Sequence, residues 1–228
     1  MKPFKNLFAA FLLVIFAFTF TSKAFAADKT VKVENNYAIK SEDKKSNPKM
    51  VNETVTVKKN PQKVVVYDLG ALDTITALGK EKNVVAIPKS QHGLNMLNKD
   101  MKKIYSAKKY QNAGSLFEPD FETIAKLQPD LIIISGRSAT SKNIEELKKA
   151  APKAAIVYGS ASMDANLMTG VKEKAITFGK IFGKEKKAKA YNKELDQSLK
   201  KLKTKVNHLK NPSALFVIAN SGELLSQS

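Results

Sequence analysis

The chain has 228 residues, with 39 lysine and arginine residues against 21 acidic ones, a formal charge of +18, and no cysteine or tryptophan. The absence of cysteine excludes disulfides, thiolate metal sites, cysteine nucleophiles and an acylated lipobox cysteine. Every basic residue but Arg137 is a lysine, so the arginine bias of a base-reading surface is missing, and no nucleic-acid motif is present.

In chain order, residues 1–26 have the arrangement of a secretory signal. Lys2 and Lys5 precede an apolar run at 8–20, and Ala24-Phe25-Ala26 supplies the small-x-small cleavage pattern. An uncleaved anchor is the competing reading, but Thr19, Thr21, Ser22 and Lys23 interrupt the apolar stretch. The expectation is a cleaved, soluble, periplasmic product beginning at Ala27. Residues 27–51 are polar, lysine-rich and aperiodic, and read as a flexible N-terminus.

Residues 52–162 alternate short β-branched runs with helical segments. Strands are predicted at 54–57 (an edge strand), 64–67, 84–87, 110–113, 131–134 and 155–158. Between them lie helices starting after Asp68-Leu69-Gly70 and ending at Gly79, at 121–127 closed by Pro129, and at 143–150 halted by Pro152. The alternation predicts a parallel sheet covered by helices. Residues 163–210 form a long helical tract interrupted by Gly179 and Gly183. Val171, Ala175, Phe178 and Phe182 recur at helical spacing, as do Tyr191, Leu195, Leu199, Leu202 and Val206. Residues 211–228 start afresh with a strand at 214–219.

An α/β sheet binds ligands at the carboxyl ends of its strands. The apolar run Leu131-Ile132-Ile133-Ile134 breaks at Ser135-Gly136 and delivers Arg137, the sole guanidinium, to that rim. Its fixed, permanently charged donors suit anionic oxygens; a structural arginine at a helix N-terminus is the bland alternative. Lys89 follows Pro88 on the same rim and competes with many solvated lysines. Tyr158 could stack on a ligand ring or simply pack. Ser115 and Leu116 follow Gly114 and could line a cleft floor, while Gly70 and Gly136 read as close-approach or turn residues. His92 and His208 are isolated and make no metal site. No paired-carboxylate constellation, GxSxG elbow, P-loop or GxGxxG appears, so no enzyme is expected.

Asp120-Phe121-Glu122-Thr123-Ile124, followed by Gln128-Pro129-Asp130 and the strand ending in Arg137, closely resembles a signature of periplasmic iron–siderophore-binding proteins of ABC importers. Asn60-Pro61-Gln62-Lys63 running into Val64 and on to Gly79, Val84 to Lys89, and Asn220 to Leu224 fit the same subgroup, that for catecholate-like siderophores. The resemblance implies an α/β fold with a Rossmann-like parallel-sheet lobe at 52–162, a long interlobe helix at 163–210, and an incomplete second lobe at 211–228, as if the chain were truncated. It implies a non-catalytic binding component with a ferric siderophore as ligand and no cofactor. Arg137 would then contact the ligand, and Glu122 would dock to arginines of the permease. A non-functional remnant, and haem or cobalamin as ligand, are the alternatives within the family. A secreted basic polyanion-binding protein is the alternative outside it.

Overall fold

The computed structural model describes residues 29–39, 47–90, 93–162, 166–210, 213, 217–220 and 223–226. Residues 1–26, expected to be a signal segment, and His92 lie outside the described residues.

The centre is a five-stranded parallel sheet in the order β5-β4-β3-β6-β7. Its strands are β3 (Val64–Val66), β4 (Val84–Ile87), β5 (Gln111–Asn112), β6 (Leu131–Ile134) and β7 (Ala155–Tyr158). The connecting helices are α1 (Leu69–Ala77), α2 (Lys99–Tyr105), α3 (Phe121–Leu127) and α4 (Ser141–Ala150). Side chains alternate across the pleat, and both faces are apolar, as a doubly covered parallel sheet requires. Val64, Val66, Leu131, Ile133 and Val157 pack with Leu72, Ile75, Tyr105, Phe178 and Phe182. Val65, Ile132, Ile134 and Ile156 pack on the opposite face with Ile124, Ile144 and Leu147. The first two connections therefore lie on one face and the next two on the other. The order reverses between β3 and β6, so a crevice opens where their carboxyl ends diverge. The α/β expectation holds, with each strand within a residue or two of its predicted place.

Within 27–51, the described residues 29–39 and 47–51 correct the flexible reading. Thr30–Ile39 is strand β1, paired antiparallel through its whole length with β2 (Lys49–Lys58), which is longer than the predicted 54–57. On β1, Val33 joins the core of one sheet face, while Tyr37 and Ile39 join the other. The ribbon thus crosses the free edge of β7. At the crossing Asn35 is fully buried. Its amide donates to the Ile156 carbonyl at 3.0 Å and its oxygen accepts from the Tyr158 N–H at 2.7 Å. One side chain thereby stands in for a backbone partner on an otherwise open edge. This polar residue occupies a buried register position, which breaks the period-2 pattern of Val31, Val33, Tyr37 and Ile39 and hides the strand.

The long interlobe tract, expected to be interrupted at Gly179 and Gly183, breaks only at Gly183, and Gly179 lies within a helix. Residues 167–207 form two helices, α5 (Leu167–Phe182) and α6 (Glu185–Asn207), divided at Gly183, which is left-handed with φ +62°. Asn192 donates to the Lys172 carbonyl at 3.0 Å, and Lys172 pairs with Asp196 at 2.9 Å. A Cβ at Gly179 would meet that of Ala188 at 2.7 Å. These contacts run in opposite senses along the two helices, so α6 folds back antiparallel on α5. The last stretch carries β8 (Val217–Asn220) paired antiparallel with β9 (Glu223–Ser226), so two strands stand where the sequence predicts one.

Candidate functional site

Each loop at the crevice is fixed by short polar side chains. After β3, Asp68 caps α1: Oδ1 accepts from the Ala71 N–H at 2.7 Å, and Oδ2 from the Ser160 hydroxyl at 2.6 Å. After β6, the turn is closed by buried Ser135 and Ser138. The Ser135 N–H donates to Ser138 Oγ at 2.9 Å, and the Ala139 N–H to the Ser135 carbonyl, also at 2.9 Å. Arg137 stands exposed at the tip, and among the described residues its guanidinium makes no hydrogen bond or ion pair. After β7, Gly159 passes so close that a Cβ would lie 2.5 Å from Ile133 Cγ2 and 3.1 Å from Asp68 Cβ. Only glycine lets these three loops meet.

Together they border a cleft of about 1140 Å³, walled on one side by β1 and on the other by α5. Arg137, Gly136 and Tyr158, all singled out in the sequence, line it. The sequence reading missed Tyr37, Asp68, Ser160 and Lys174, which line it as well. Tyr158 is not free to stack on both faces. Tyr37 lies against it with ring centroids 4.8 Å apart and planes within 5°, and the Lys174 ammonium sits 5.6 Å from the ring centre. Burial, then the nearby Glu53 carboxylate, pushes the Tyr37 phenol up to about 12. The Lys174 ammonium donates to the Tyr158 carbonyl at 2.7 Å. Its partial burial lowers its pKa, while Asp68 and Glu173 act the other way.

The other sequence candidates lie elsewhere on the rim. The Lys89 ammonium, its pKa lowered by burial, turns to the Ala107 carbonyl at 3.4 Å. Ser115 and Leu116 are buried. Ser115 Oγ accepts from the N–H groups of Phe117 and Glu118 at 3.2 and 2.9 Å, which builds the turn before α3. Asn143 ties that turn to the Arg137 loop, donating to the carbonyls of Phe117 at 2.8 Å and Ser138 at 3.1 Å. Gly70 lies in the first turn of α1, where a Cβ would come within 3.3 Å of Asp68 Oδ1. Glu122 lies in the first turn of α3, exposed and paired with Lys126 at 2.6 Å. His208 is the exposed cap of α6. Among the described residues, no group of three or more His, Cys, Asp or Glu could hold a metal ion.

A family model described as "periplasmic binding protein" matches residues 64–226. The petrobactin-binding protein YclQ of Bacillus subtilis is 40% identical over 168 residues, 74% of this chain and 49% of that protein. Its crystal structure superposes with a TM-score of 0.68, at 35% identity, over 87% of this chain and 61% of that one. The periplasmic catecholate-siderophore binding protein VctP of Vibrio cholerae superposes with a TM-score of 0.65, at 31% identity, over the same shares of the two chains. The chain spans about half the length of the curated relatives it matches.

Proposed function

The chain belongs to the periplasmic binding protein family, and on that premise we propose that it is the binding component of an ABC importer for a ferric siderophore with anionic, catecholate-like oxygens. The observation that carries this reading is Arg137. It is the one arginine in the chain, and its guanidinium is unpaired among the described residues, at the switch point of the sheet and on the wall of a cleft large enough for a chelate. YclQ and VctP, similar over this region, are named for petrobactin and for catecholate siderophores. The reading needs no catalysis and no resident cofactor, and the iron enters as cargo inside its chelate. It also takes the product outside the cytoplasm, with residues 1–26 removed on export.

The test is titration with ferric tris(2,3-dihydroxybenzoate), followed by tyrosine emission, since the chain has no tryptophan. Arg137→Ala is expected to weaken binding at least several-fold, because a hydrogen bond to a charged group is worth about 1.5–3 kcal/mol. Lys63→Ala should leave it unchanged, since Lys63 precedes β3 at the opposite rim and bonds the Leu127 carbonyl. Equal losses from the two substitutions would reduce the effect to net charge and reject the site.

Glu122 fits the permease contact in this reading. It is exposed at the start of α3, outside the cleft lining. In cells, Glu122→Lys is expected to block uptake of the ferric complex while the titration stays as in the parent chain. Undiminished uptake removes this role.

A further inference from the structure

Arg137 shares the cleft lining with three lysines: Lys32 and Lys180 are exposed, and only Lys174 is partly buried. Lys174 lies on α5, on the flank of the buried stripe formed by Ala175, Phe178 and Phe182. It is half-buried, yet no carboxylate lies within ion-pair distance of its ammonium among the described residues. One of its three N–H donors is used on the Tyr158 carbonyl, which leaves two for another acceptor. Tyr158 links it to the arginine loop, because a Cβ on Gly136 would stand 3.2 Å from the Tyr158 hydroxyl. The acidic groups on the cleft wall are Glu34, Asp68 and Glu173. Both Asp68 oxygens already accept hydrogen bonds from Ala71 and Ser160, and Glu34 and Glu173 are exposed. The Tyr158 carbonyl and the more distant charges of Asp68 and Glu173 offset the ammonium's partial burial only in part, since its pKa stays lowered, so an anion in the cleft would find it receptive.

We infer that Lys174 is a second anion-binding group of the cleft, joined to Arg137 through Tyr158, and that the two select negatively charged ferric complexes over neutral ones. The inference rests on the siderophore reading of the cleft and adds a specificity-determining residue to it. A purely structural role, tying down the end of β7, is the competing explanation. Lys174→Gln separates the two, since the amide keeps a donor for the Tyr158 carbonyl and removes the charge.

The experiment titrates the parent chain, Lys174→Gln and Lys174→Arg with ferric tris(2,3-dihydroxybenzoate), with a neutral ferric trihydroxamate, and with iron-free 2,3-dihydroxybenzoate. The Gln variant should bind the anionic complex about tenfold more weakly, the scale of one charge-assisted hydrogen bond. Its response to the neutral complex should be unchanged, and the Arg variant should restore anionic binding. Unaltered anionic binding, or equal loss on both complexes, overturns the inference and leaves the siderophore reading standing. If no ferric complex binds the parent chain but iron-free dihydroxybenzoate binds in a Lys174-dependent way, the siderophore reading falls and Lys174 stands as an anion site. No binding of any of the three ligands removes both.

Discussion

Asp130 shows how much one side chain of the recognised sequence block does. It sits just before β6 and clamps the start of β3. Its Oδ2 accepts from the Gln62 and Lys63 N–H groups at 2.8 and 3.2 Å, and Oδ1 from Lys58 at 3.4 Å. Burial alone would raise its pKa, but these donors outweigh it and hold the carboxyl below its ordinary value. Asp120, the cap of α3, is likewise held down, chiefly by the Thr123 N–H and hydroxyl. A carboxyl whose folded pKa lies below its unfolded value stabilises the fold above the unfolded pKa, about 4, and loses that contribution as the pH falls through the folded one. Asp130→Asn is therefore expected to cost about 1.5–3 kcal/mol at neutral pH, the range for hydrogen bonds to a charged group. Chemical denaturation at neutral pH and below pH 4 checks this. The gap between the two proteins should narrow in acid, and a gap independent of pH would deny the carboxylate its role.

Among the elements, the β1–β2 ribbon does most to turn a bare sheet rim into a walled cleft, and its attachment rests on Asn35. Asn35→Ala would leave the Tyr158 N–H and the Ile156 carbonyl buried and unpaired, at a cost of about 1–3 kcal/mol for each unsatisfied group. Amide exchange at Tyr158 should speed up and the melting temperature fall, whereas an unchanged exchange rate would show that the ribbon is held by its apolar contacts alone. The ribbon was also the least legible part of the sequence. The strands of the sheet announced themselves as continuous β-branched runs, because both their faces are buried. β1 alternates, and its alternation is broken by the asparagine that anchors it, among lysines and other polar residues that resemble a solvated tail. The division of α5 from α6 was half legible. Gly183 marked the break, but only the contacts of Asn192, Lys172 and Gly179 show that the second helix turns back.

In the whole molecule, strand order converts sequence-distant loops into one site. Reversal between β3 and β6 brings together Asp68, Arg137 and Ser160, and the ribbon and α5 add Tyr37 and Lys174 from either side. Arg137 could be read from the sequence because it is unique in type and follows an unmistakable strand. Lys174 could not, since nothing but its place beside a buried helical stripe distinguishes it from the other lysines. Lys89, chosen for its position after a strand, shares the rim but turns its ammonium to the Ala107 carbonyl, a side-chain direction that linear order does not encode. Under the proposed function, this switch-point cleft would receive the iron chelate. Crystals of the chain grown with ferric tris(2,3-dihydroxybenzoate) and measured at the iron absorption edge would locate the metal directly. An anomalous peak is expected in the cleft, between Arg137 and Lys174. A peak on any other face, or none in crystals that hold the coloured complex, would reject the cleft as the chelate's site.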